Sequence, residues 1–125
     1  MAPAHDPQIL KGVLSLLLLH LLAEQESYGY EVVQRLQAEG LTDVLEGTIY
    51  PALARLEREG RVAARLISSP SGPARKYYRP TASGYAALAA GTSVWARQTE
   101  IVTTILTRAL PAMPGAEADL TNQGA

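Results

Sequence analysis

The sequence predicts a mainly α chain with a small β-hairpin: a winged helix-turn-helix carrying a long C-terminal dimerisation helix. Three observations predict it. Two helix patterns joined by a compact link culminate in Gly47 to Gly60, which reads GTIYPALARLEREG. An arginine-rich strand, turn and strand pattern follows at once. A long helix pattern with a heptad seam then closes the ordered part of the chain.

Residues 1–7 read as a flexible tail, residues 8–80 as the winged-helix unit, 81–110 as the dimerisation helix and 111–125 as a disordered tail. Ile9, Leu10, Val13, Leu14, Leu16 to Leu19, Leu21 and Leu22 make a first helix apolar around most of its circumference. One small core cannot cover such a helix on every side, so Leu14 and Leu18 are expected to assist a subunit interface. Ser27 is expected to cap a second helix over roughly Tyr28 to Glu39, with Val32, Val33 and Leu36 facing inward and Gly40 ending it. Tyr28 and Tyr30 lie at its N-terminus, where orphan N–H groups favour a phosphate.

The Gly47–Gly60 stretch has the punctuation of one helix. Thr48 is expected to cap it, Pro51 to fall in its first turn, and Gly60 to end it in a left-handed conformation. Ile49, Ala52, Leu53 and Leu56 share one face; Thr48, Pro51, Arg55 and Arg58 share another, with Tyr50 between. One face can be buried while the other offers a hydroxyl, a phenol and two guanidinium groups, the requirements of a helix that enters a DNA groove. The plainer alternative is a surface helix with Arg55 paired to Glu59.

After Gly60 the period becomes two: Val62, Ala64 and Leu66 alternate with Arg61, Ala63 and Arg65. Ser68 to Ala74, SSPSGPA, is dense in turn formers, and RKYYR at 75–79 returns as the second strand of a basic wing. Pro80 stops that strand and Thr81 caps the last helix. From Tyr85 the seam runs through Leu88, Thr92, Trp95, Thr99, Val102, Leu106 and Ala109, flanked by Val94, Ile101 and Ile105. Leu88, Trp95, Ile101, Val102, Ile105 and Leu106 are therefore expected at a homodimer interface. Trp95 in the seam, beside the small Thr92 and Thr99, is expected to line a site for a planar aromatic or phenolic effector.

Composition narrows the function. The chain has 125 residues, no cysteine and a formal net charge of −1, which hides an asymmetry. Residues 48–79 hold seven basic and two acidic residues, a net of +5, while the remainder carries −6. A basic segment on an acidic body suggests one anionic partner at one place. The missing cysteines exclude disulfides and thiolate zinc sites and are compatible with a cytoplasmic location. Val13 to Ala23 is too short to cross a bilayer, so no membrane is expected. No cofactor, metal or catalytic set is expected: His5 lies in the tail, His20 in an apolar run, and the carboxylates form no recognisable pair.

LKG at 10–12, YGYE at 28–31, GTIYPALARLEREG at 47–60, GPARKYY at 72–78 and a tryptophan in the last helix resemble the PadR family of transcriptional regulators, over about Ile9 to Ala109. The resemblance implies a winged-helix DNA-binding domain with a dimerising C-terminal helix, usually a repressor released by a small molecule. The single helix after the wing resembles the short-form branch. By that resemblance Thr48, Tyr50, Arg55 and Arg58 are expected to contact double-stranded DNA from the recognition helix, and Ser71, Gly72, Arg75 and Lys76 from the wing. Two features depart from the pattern: Pro80 stands where the family usually has an apolar residue, and threonines interrupt the seam. A winged-helix protein-interaction module that does not bind DNA is the alternative; the basic hairpin argues against it.

Overall fold

The computed structural model describes residues 6–113. Residues 1–5, including His5, and residues 114–125, which carry parts of the two expected tails, lie outside them. The element order is α1 (Pro7–Lys11), α2 (Leu14–Glu24), β1 (Ser27–Tyr28), α3 (Gly29–Ala38), α4 (Glu46–Arg58), β2 (Val62–Ser69), β3 (Gly72–Pro80) and α5 (Ala82–Leu106). Mostly helical, with a small three-stranded antiparallel sheet in the order β1-β3-β2 and a long last helix, this is a winged helix.

The expected first helix is two. Asp6 caps α1 through its carboxylate, which accepts from the amide of Gln8 at 2.8 Å, so helix begins inside the expected tail. Gly12 and Val13 then interrupt the run before α2. Leu18, Leu19 and Leu22 on α2 join Val32, Val33 and Leu36 of α3, and Ile49, Leu53 and Leu56 of α4, in one buried core. Leu14 and Leu18, expected at a subunit interface, are only 7% and 0% exposed within the single chain. That expectation is corrected: both side chains already face the chain's own core.

Gly40 and Gly60, with φ of 113° and 75°, end α3 and α4 in the left-handed region that a side chain disfavours. After each, the next amide reaches back into the last turn: Leu41 N–H to the Leu36 carbonyl at 3.1 Å, Arg61 N–H to the Leu56 carbonyl at 2.8 Å. The link from α3 to α4 is pinned where the Gln37 side-chain amide donates to the Val44 carbonyl at 2.9 Å. Val44, 2% exposed, seals the turn.

Helix starts depart from expectation. Ser27 is not a cap but a buried residue of β1, its hydroxyl donating to the Gln25 carbonyl at 3.1 Å and accepting from Arg35 at 2.9 Å. The α3 start is closed by Glu31, whose carboxylate accepts from the Tyr28 amide at 3.2 Å. Helix α4 starts at Glu46, so Thr48 sits in its first turn and Pro51 lies beyond that turn, inside the helix. A proline there removes one intrahelical bond, to the Gly47 carbonyl; Gly47 is exposed, so water can serve that oxygen.

Strand β1, two residues long, had no periodic signal; it pairs with β3 in the register Ser27 to Tyr78 and Tyr28 to Tyr77. The wing is longer and its turn tighter than expected. Ser69 pairs with Gly72, leaving Pro70 and Ser71 between them, with an irregularity after Ile67. Val62 is buried, but Leu66 is 72% exposed: the hairpin outruns the helices that cover its base. Thr81 behaves as expected, its hydroxyl accepting from the Gly84 amide at 3.1 Å while donating to the Gly60 carbonyl. Helix α5 ends at Leu106, short of the expected Leu110.

The chain divides into two compact units between Trp95 and Ala96. In the first, Ala87 and Leu88 of α5 pack against the core. In the second, residues 96–106 continue the helix, and every described residue is exposed.

Candidate nucleic-acid interface

The α4 sequence separates its two faces cleanly. Ile49, Leu53 and Leu56 are at most 1% exposed, which fixes the helix by its underside. Thr48, Tyr50, Pro51, Arg55 and Arg58 are all exposed on the remaining surface. Neither Arg55 nor Arg58 has a carboxylate within ion-pair distance among the described residues, so the Arg55–Glu59 pair of the plainer alternative is absent there and both guanidinium groups are open. A guanidinium with no internal partner keeps its full set of donors for a base edge or a phosphate.

Tyr50 plays two parts. Its ring lies on the backbone of Gly29, where an added Cβ would overlap the ring, so it joins α4 to the start of α3. Burial pushes the pKa of its phenol up, followed by the charge of Glu46 and the neighbouring Tyr78, Tyr28 and Tyr30. The phenol therefore stays neutral and can both donate and accept. Tyr30 is 46% exposed beside it. Tyr28 is half-buried, its ring edge-on to Tyr77 with centroids 5.2 Å apart and the Arg75 guanidinium 4.6 Å from its centroid. Of the two tyrosines expected near a phosphate, Tyr30 is the more open, and Tyr28 serves as a platform for Arg75.

On the wing, Ser71 and Gly72 are exposed at the turn, with Arg75 and Lys76 exposed along β3. The basic residues differ sharply in their commitments. Lys76 Nζ lies 2.8 Å from Glu57 Oε1, and that hydrogen bond, ahead of the influence of Tyr78, pushes the Lys76 pKa up. Arg65 is held in two hydrogen bonds by Glu26, at 2.9 and 2.6 Å, and Arg79 lies 3.9 Å from the same carboxylate. Glu26 is accordingly held below its usual range, first by the Arg65 hydrogen bond. Arg61 stands 4.0 Å from Glu59. Only Arg55, Arg58 and Arg75 of the basic segment lack a carboxylate partner among the described residues. The sequence showed the charge cluster but not this division; nothing in the spacing links Glu26 to Arg65.

Thr92, Trp95 and Thr99 are exposed on α5, Trp95 at 44%. Leu88 is half-buried against the core, whereas Val94, Ile101, Val102, Ile105 and Leu106 are each at least 50% exposed. His20 is exposed and lies 3.4 Å from Glu24 on the next turn, an edge position. No group of histidines and carboxylates among the described residues is placed to hold a metal ion. No helix among them is long and apolar enough to cross a membrane.

The fold agrees with what the chain is similar to. Residues 18–90 match the model of the PadR-like family of transcriptional regulators. A transcriptional regulator of Mycobacterium tuberculosis is 38% identical over 80 residues, covering 62% of this chain and 71% of that one. The crystal structure of a PadR-like transcriptional regulator from Bacillus cereus superposes with a TM-score of 0.73 at 37% identity, over 82% of this chain and 99% of the other. A PadR family regulator from Eggerthella lenta gives a TM-score of 0.75 at 30% identity, over 82% and 88%. The chain belongs to the PadR-like family of DNA-binding transcriptional regulators.

Proposed function

We propose that the protein is a repressor that binds a two-fold symmetric operator as a homodimer and is released by a small molecule. The carrying observation is the face of α4: a buried apolar underside beneath the guanidinium groups of Arg55 and Arg58, which have no carboxylate partner among the described residues. Helix α4 enters the major groove, with Thr48, Tyr50, Pro51, Arg55 and Arg58 toward the bases. Ser71, Gly72, Arg75 and Lys76 of the wing, with Tyr28 and Tyr30, hold phosphates. Phosphate contacts supply much of the affinity and arginine–base contacts the sequence preference.

The exposed apolar positions of α5 support the homodimer. A helix carrying Trp95, Ile101, Val102, Ile105 and Leu106 at 44% exposure or more gains stability by burying them against a second copy. Trp95 with Thr92 and Thr99 then lines the site for a planar aromatic or phenolic effector, whose preference for one dimer geometry changes the spacing of the two α4 helices. Retention on DNA-cellulose, followed by footprinting on selected genomic fragments, tests the DNA reading. Failure to be retained at low salt would overturn it in favour of a protein-interaction module.

A further inference from the structure

A groove of about 330 Å³ lies between the α1–α2 region and α4, separate from Trp95. Its lining includes Leu10, Leu14 and Val44, which are 8%, 7% and 2% exposed, with the half-buried Ala52 beside them. No aromatic ring lines it. Lys11, Arg55 and Asp43 also border it, along with the hydroxyl-bearing Ser15 and Thr48. Lys11 and Arg55 have no carboxylate within ion-pair distance among the described residues. Two unpaired cations and one carboxylate border aliphatic side chains, a net of one positive charge.

We infer that this groove binds a small aliphatic monocarboxylate, its chain on Leu10, Leu14, Val44 and Ala52 and its carboxylate on Lys11 and Arg55. Pocket size and lining suit such a ligand: a concave, mostly apolar surface with a few convergent polar groups. A cationic rim selects an acid over an alcohol or an amine. The consequence for regulation rests on the function proposed above. Thr48 and Arg55 belong both to this groove and to the α4 face assigned to DNA, so the acid and the operator exclude one another. Release by this route needs no change in dimer geometry.

Octanoate is the probe, titrated into the full-length protein with amide shifts followed by NMR and heat by calorimetry. Saturable one-to-one binding is expected, with a Kd of about 1 mM or tighter and shifts centred on Leu10, Val44 and Ala52. Octanol and octylamine bind more weakly. Lys11→Met weakens octanoate about tenfold, and Ala52→Met, which fills the groove, abolishes its binding; if that variant fails to fold, Lys11→Met carries the test. Octanoate at about ten times its Kd should lower apparent DNA affinity about tenfold. Absence of saturable binding, shifts centred on Trp95, or an unaffected Lys11→Met overturns the site. Octanoate that binds in the groove while DNA affinity stays unchanged overturns the exclusion. If octanoate does not bind and Lys11→Met weakens binding to all DNA sequences, the groove belongs to the DNA backbone and the inference fails. DNA binding measured without octanoate judges the proposed function separately.

Discussion

Helix α4 and the second half of α5 both carry apolar residues at helical spacing and meet opposite fates. In α4, Ile49, Leu53 and Leu56 are buried in the chain's own core. In α5, Ile101, Val102, Ile105 and Leu106 are 50% to 77% exposed. The same kind of pattern specifies packing inside the chain in one case and leaves an exposed surface in the other, which the proposed homodimer would bury. Burying apolar area is favourable wherever the partner surface comes from, so a pattern alone does not say which chain supplies it. Stability of the first kind is independent of concentration; stability of the second kind depends on it.

The largest effect separates the two regions. Val102→Asp combined with Leu106→Asp should convert the protein to a monomer in sedimentation experiments and remove cooperative operator binding, while circular dichroism retains the winged-helix signal. Leu53→Ala should instead destabilise the fold by about 2–5 kcal/mol in denaturant titrations. That loss should persist in the Val102→Asp, Leu106→Asp background, because its cause lies within one chain. If the α5 pair of changes unfolds the whole protein, the comparison breaks: the second half of α5 would then be needed by the fold of the single chain.

Gly29→Ala sharpens the account of α4. The new Cβ overlaps the Tyr50 ring, so stability should fall by about 1–3 kcal/mol and operator affinity should fall beyond what the unfolded fraction explains. Tyr50→Ala should relieve the overlap, so the double variant loses less stability than the sum of the two. Strict additivity would remove Tyr50 as the link between α3 and α4.

Glu57→Gln tests the wing. Lys76 is held at 2.8 Å by Glu57, so the chain's own carboxylate would compete with a phosphate for it. Loss of that charge should tighten DNA binding several-fold and steepen the salt dependence by up to about 0.9 in slope. An unchanged slope would mean that Lys76 stays on the protein in the complex.

The smallest effect concerns pH. Glu26 is lowered from the usual 4.5 by its hydrogen bond to Arg65. A depressed carboxylate contributes stability that is present above its unfolded value and lost as pH falls through the lower folded value. Acid titration should therefore loosen the tie between Glu26, Arg65 and Arg79 only below about pH 4.5, and Glu26→Gln should flatten that limb of the stability profile. Because these side chains are partly exposed, the change should be small.

Much of the fold was legible where period and punctuation agreed. Gly40 and Gly60 marked helix ends because a left-handed residue can be read from sequence. The inward faces of α3 and α4 followed from helical spacing, and so did the outward Arg55 and Arg58. What escaped depended on contacts far apart in the chain. Strand β1 is two residues long and exists because β3 offers it an edge. Ser27, a plausible cap by type, is instead claimed by Arg35 and by the Gln25 carbonyl. The true start of α4 at Glu46 was missed because its N-cap, Leu45, makes no side-chain bond. An all-round apolar helix does not reveal how much of it α3 and α4 will cover, which is why sequence alone points Leu14 and Leu18 toward a partner. At the candidate interface, the residue types were readable and their pairings were not: Glu57 and Glu26 decide which cations are free.

The central claim is that two α4 faces, joined through α5, read one symmetric site. Hydroxyl-radical footprinting on a selected genomic fragment tests it most directly. The account predicts two protected patches with centres about 10 base pairs apart, or a multiple of that, related by two-fold symmetry. Val102→Asp with Leu106→Asp should reduce them to weak, independent protection at each half-site. A single patch from the wild-type protein, or two patches that survive unchanged in the α5 variant, would contradict it.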